Sequence, residues 1–106
     1  MKREIITLVG STRFKEQFRE AERKLTTDGK IVLPLAFYEK VEGIKHAPEM
    51  LKLLFDLQLD KINLSDSVFV IDVDGYIGET TKREIDYARS KGKLIRFYSK
   101  EFGDKK

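Results

Sequence analysis

The sequence predicts an α/β fold: a three-layer α-β-α sandwich around a four-stranded parallel sheet, strand order 2-1-3-4, of the flavodoxin or Rossmann type. Three observations predict it. Short β-branched runs alternate with helical segments in the order β-α-β-α-β-α-β, which implies parallel strands joined by right-handed crossovers. The run near residue 70 is apolar at nearly every position, as a strand covered on both faces must be. The length, 106 residues, suits one domain over 1–106, with a core small enough to gain from burial in an oligomer.

The elements follow in order. "EIITLVG", residues 4–10, is a short β-branched strand ended by Gly10. In the next segment Phe14, Phe18, Ala21 and Leu25 fall on one face of a helix, which Asp28-Gly29 ends. "IVLPLAFY", 31–38, is the second strand; Pro34 lacks a backbone donor and sends it to an edge or ends it early. Residues 39–47 form a loop. Pro48 opens a second helix reaching about Leu64, whose leucines make a stripe wider than one sheet face needs, so a partner chain is expected against it. "SVFVIDV", 67–73, is the third and central strand. A third helix runs from about Thr81 to Lys91 with Gly92 after it, and "KLIRFYS", 93–99, is the fourth strand, followed by a short charged tail.

Composition narrows the function classes. With no cysteine, disulfides and thiolate metal sites are excluded, and a reducing compartment is the simple reading. No run approaches the length needed to span a bilayer. The expectation is a cytoplasmic protein with no membrane partner. The net charge of +3 divides into −2 over residues 1–81 and +5 over 82–106. No aromatic-basic pattern of a nucleic-acid-binding strand accompanies it, so no nucleic-acid partner is expected.

In an open parallel sheet, ligands sit beyond the carboxyl ends of the strands. Two motifs fall there. In "VGSTRF", Gly10 permits close approach of a ligand, Ser11 and Thr12 suit a helix start that attracts anions, and Arg13 adds a two-pronged donor. A glycine turn with a serine cap accounts for the same residues. In "IDVDGYIGETTKREIDYA", Asp72 and Asp74 leave the strand near its carboxyl end, Gly75 and Gly78 allow a tight loop, and Thr80-Thr81 open a helix. Glu84, three residues after Thr81, fits a capping box. It equally fits a carboxylate held ionised at a helix start, able to act as nucleophile at a sugar anomeric carbon. Asp72, Asp74 or Glu79 would then supply a proton to the leaving group. No metal or other cofactor is expected, since no phosphate-metal motif is present.

"GSTRF" after the first strand and "DGYIGETTKREIDYA" after the third resemble the nucleoside 2-deoxyribosyltransferase-like superfamily, most closely its short bacterial and phage members. Deoxynucleoside 5′-monophosphate N-hydrolases belong to the same superfamily. The resemblance implies a small-molecule nucleoside or nucleotide as substrate and cleavage or transfer at its N-glycosidic bond. It implies Glu84 as the residue that attacks C1′, with Glu79 as its rival. It gives Gly10, Ser11, Thr12 and Arg13 the sugar or its 5′-phosphate, and Asp72 or Asp74 the base. A non-catalytic nucleotide sensor and a small interaction subunit are the alternative readings. Around this site, Tyr76 is a candidate for shaping a sugar pocket, and Phe37 and Tyr38 for stacking on a base. His46, the only histidine, is read as a loop residue in solvent.

Overall fold

A computed structural model describes residues 2–35 and 47–103. Four parallel strands form one sheet in the order β2-β1-β3-β4. They are β1 (Ile5–Gly10), β2 (Ile31–Leu33), β3 (Ser67–Ile71) and β4 (Leu94–Phe97). The helices are α1 (Lys15–Thr27), α2 (Pro48–Leu64), α3 (Glu79–Ser90) and the single turn α4 (Tyr98–Glu101). The fold class expected from the alternation is the one observed.

Side-chain alternation along the two central strands divides the core. Ile6 and Leu8 of β1 and Phe69 and Ile71 of β3 pack under α1, with Phe18, Ala21 and Leu25 facing them. Val9, Val68 and Val70 point the other way, against Ile62 of α2 and Ile85 and Ala88 of α3. All five residues of β3 are buried, which is why its sequence after Ser67 reads as an apolar run. Phe69 is fully buried, worth roughly 2–3 kcal/mol relative to an exposed side chain.

β2 pairs only through Leu33, opposite Thr7, so it is shorter than the span 31–38 and is the edge that Pro34 required. Residues 36–38 of that span, with Phe37 and Tyr38, and His46 too, lie outside the described residues. β4 also ends early. Its expected tail is instead α4, and Phe102 after it enters the α1-side core with its ring 5.7 Å from Phe69. Across the sheet edge, Arg96 of β4 pairs with Glu4 at 3.1 Å and Glu101 at 2.7 Å. Burial would raise the Glu4 pKa, but the Ser67 hydroxyl, Lys30 and Arg96 outweigh it and hold the carboxyl below its ordinary value.

Chain order reverses direction between β1 and β3. The chain winds from β1 outward to β2 and from β3 outward to β4. The crevice at such a switch point lies between the carboxyl ends of the two central strands, bordered here by the Gly10 turn and the loop after Ile71. Among the described residues, no helix is long and apolar enough to cross a membrane.

Candidate active site

The two motif segments meet at this crevice. Gly10 ends β1 with φ +150, and a Cβ there would lie 3.0 Å from Ile71 Cβ and 3.2 Å from Phe18 Cζ. The glycine is therefore required by packing as well as by backbone angle. Ser11 accepts a hydrogen bond from the Arg13 backbone N–H at 3.3 Å, and Thr12–Phe14 turn once before α1. The Arg13 guanidinium lies 4.3 Å from the centre of the Tyr76 ring and donates to its hydroxyl at 3.3 Å. Phe14 meets the same ring edge-on. Tyr76 in turn covers Gly78, where a Cβ would come within 3.3 Å of the Tyr76 hydroxyl. Arginine, tyrosine and glycine thus tie the two loops together.

Asp72 and Asp74 are placed differently from the sequence expectation. Asp72 is buried, and its carboxylate accepts from the Ser99 N–H at 2.8 Å and from the Ser99 hydroxyl at 2.7 Å. It fastens the first turn of α4 to the end of β3. Asp74 sits exposed in the turn at φ 53, a left-handed conformation that a short polar side chain tolerates, followed by Gly75 at φ 79. Neither aspartate lines the cleft described next.

That cleft, about 1010 Å³, opens between α2, α3 and the Gly10 turn. Gly10, Ser11 and Thr12 form one wall; Gly78, Glu79, Thr81 and Glu84 form the facing one, with Tyr76 beside them. Arg13, stacked outward on Tyr76, does not line it. The volume matches that of a small-molecule site.

Glu84 is the central group. α3 begins at Glu79 with Gly78 in the cap position and no side-chain cap. The helix therefore starts two residues before the expected Thr81, and Glu84 falls in its second turn, beyond reach of the free N–H groups. It makes no capping box: the residue is 5% exposed and its carboxyl has no hydrogen-bond partner among the described residues. Burial pushes its pKa up to about 7, opposed in part by the charge of Arg83. The expectation of a carboxylate held ionised by the helix start is thus corrected. The group titrates near neutrality, because desolvation outweighs its one nearby cation.

Several cleft residues were missed in the sequence. Gln58 of α2 is buried and donates from Nε2 to the Leu8 carbonyl at 2.8 Å, one residue past the last β1–β2 pair. Thr81 is buried on the opposite wall. Arg83 lies over the Phe55 ring at 4.4 Å, bridging α3 and α2 at the cleft. Gln58 did carry a signal. It stands alone among leucines and is spaced three and four residues from Phe55 and Ile62, so it shares their buried face. A polar group on such a face needs a partner.

Among the described residues no group of three histidine or acidic side chains gathers to hold a metal ion. The chain matches no protein-family model and no curated protein.

Proposed function

We propose that this protein breaks or exchanges the N-glycosidic bond of a (deoxy)nucleoside or its 5′-monophosphate, with Glu84 as the nucleophile. One observation carries the reading: a buried carboxyl with no hydrogen-bond partner among the described residues lines a cleft of substrate size, across from the Gly10 turn. Leaving such a group unsatisfied costs stability, so its retention points to use. The likeness of its helix to the nucleophile-bearing segment of the deoxyribosyltransferase-like superfamily supports the same role.

In this scheme an ionised Glu84 oxygen bonds to C1′ as the C1′–N bond breaks. The electron pair leaves with the base, which takes up a proton. Glu79, the other sequence candidate on the cleft wall, supplies that proton, because Asp72 is engaged with Ser99 and Asp74 faces solvent. Water or a second base then attacks C1′, giving its proton to the now ionised Glu79 as the bond to Glu84 breaks. Chromatography of free base released from deoxynucleosides and their 5′-monophosphates tests the reading. Release by the native protein and its loss in Glu84→Gln support it. Release surviving that substitution, or ligand binding with no release at all, refutes it, and the second outcome supports a nucleotide sensor.

A separate observation favours self-association. Met50, Leu51, Leu53, Leu57 and Leu64 are each at least 40% exposed along α2. Exposed apolar side chains this numerous on one helix suit burial against a second copy of it, an isologous pair in a homodimer. Sedimentation velocity decides this: a monomer at about 100 μM, a concentration that would populate any dimer of micromolar affinity, ends it.

A further inference from the structure

The cleft wall of α2 carries a lysine whose surroundings differ from those of its neighbours. Lys52 is paired with Asp56 at 2.8 Å, and Arg83 is spread over Phe55. Lys61, also on the wall, has no carboxylate within 4.0 Å among the described residues. Among the described residues its ammonium makes one hydrogen bond, to the Pro34 carbonyl at 2.8 Å, where β2 has just ended. An ammonium has three donors, so two have no acceptor among those residues.

The position is also held rigidly. The Thr7 and Ser65 hydroxyls share one hydrogen bond, and the one that accepts in it donates in turn to the Lys61 carbonyl, which lies 3.1 Å from Thr7 and 2.8 Å from Ser65. Thr7 and Ser65 are buried, so this turn of α2 is fastened to β1 while the side-chain tip is fastened to the end of β2. Burial lowers the ammonium's pKa from its ordinary value, a cost that an anion at the same place would offset.

We propose that Lys61 is an anion subsite of the cleft, taking a phosphate-type or carboxylate substituent of the bound ligand. The inference rests on the nucleoside reading only for the choice of probe. It moves the charge recognition from Arg13, which is stacked on Tyr76 and absent from the cleft wall, to the α2 side. There the ligand's negative charge is opposed by a cation rather than by the acidic α3 wall of Glu79 and Glu84. A charge-assisted contact of this kind is worth about tenfold or more in affinity.

The test is calorimetric titration of the full chain carrying Glu84→Gln, which keeps the probe intact. The probes are a deoxynucleoside, its 5′-monophosphate and inorganic phosphate. The expected result is a monophosphate bound about tenfold or more tighter than the nucleoside. Lys61→Gln is expected to abolish that preference with little change in nucleoside affinity, Lys61→Arg to keep most of it, and Arg13→Gln to leave it intact. A preference that survives Lys61→Gln, or that vanishes in Arg13→Gln instead, overturns the subsite and leaves the glycosidic reading standing. Lys61-dependent binding of inorganic phosphate without nucleoside binding does the reverse. No binding of any probe ends both. Should Lys61→Gln fail to fold, acylation of Lys61 followed by mass mapping replaces it. Protection by monophosphate but not by nucleoside supports the subsite, and equal reactivity with both overturns it.

Discussion

Replacing Glu84 by glutamine should stabilise the protein, and more so as pH rises. The unfolded chain ionises this carboxyl at its ordinary pKa of 4.5, whereas burial pushes the folded value up to about 7. Between these two values the native state holds a proton that the unfolded state has released. Stability contributed by this group is therefore complete below pH 4.5, falls as pH rises, and is lost once pH passes about 7. At about 1.4 kcal/mol per pH unit the loss amounts to about 3 kcal/mol. Glutamine has nearly the same shape and cannot ionise, so the variant lacks this slope. Glu4 and Asp66, both held below their ordinary values, lose their protons at lower pH than this. The quantity to measure is the difference between variant and native stability, in which every group other than Glu84 cancels. Urea unfolding of both proteins at pH 5, 6, 7 and 8 gives it. The expected difference grows by about 2–3 kcal/mol from pH 5 to pH 8 and then levels. A difference constant to about 0.5 kcal/mol across that range would mean that the carboxyl is hydrated or paired in solution, and the buried unpartnered group on which the catalytic reading rests would be gone.

Three more outcomes follow from single contacts. Gly10→Ala combines a φ of +150 with a Cβ 3.0 Å from Ile71 Cβ; it should lower stability by about 2–3 kcal/mol in urea unfolding, and a loss under about 0.5 kcal/mol would show that the turn relaxes freely. Asp72→Asn weakens the hold on Ser99 and should cost about 1–3 kcal/mol while base release by the folded variant continues. Loss of turnover at unchanged stability would return Asp72 to the chemistry. Arg83→Gln removes the charge that draws the Glu84 pKa down, so the rising limb of the pH–rate profile should move to higher pH; an unmoved limb would mean that Arg83 does not act on Glu84.

Strand order and helix register were legible because each rests on many residues at once. Five buried positions in a row identify β3 as central, and Pro34 limits β2 whatever surrounds it. α2 begins at Pro48 and ends at Leu64, where the sequence put it, since proline suits a first turn and the leucine run stops there. Single-residue assignments were less legible. The threonines at 80 and 81 look like a helix start, but the chain turns at Gly78 and is already helical at Glu79. That shift of two residues carries Glu84 from the first turn into the second, and burial rather than the helix start sets the direction of its pKa shift. Asp72 failed for a different reason. Its partner Ser99 lies twenty-seven residues on, in a turn of helix that the sequence shows only as the end of a strand. A carboxylate that caps a distant helix and one that faces a ligand look the same until the fold brings the second segment in.

The energetics of Glu84 bear on why the cleft stays open between α2 and α3. A domain of this size has a net stability of roughly 5–15 kcal/mol, so about 3 kcal/mol lost above neutral pH is a large share. Packing alone offers an easy escape. Leucine at 84 would fill the space between Thr81, Ile85 and Ala88 on a helix face that is already buried, and a buried leucine stabilises by about 2–3 kcal/mol. Gln58 differs, because its amide, buried among leucines, satisfies the Leu8 carbonyl. Two buried polar side chains on two different helices thus line one cavity, and a structural partner accounts for only one of them. A local rule broken with no structural gain is what a binding or reacting site requires of its scaffold. Two substitutions check this directly. Glu84→Leu and Gln58→Leu should each leave the fold intact, and each should weaken nucleoside binding. If either stabilises the protein and binds nucleoside as tightly as the native chain, that position is not part of the site.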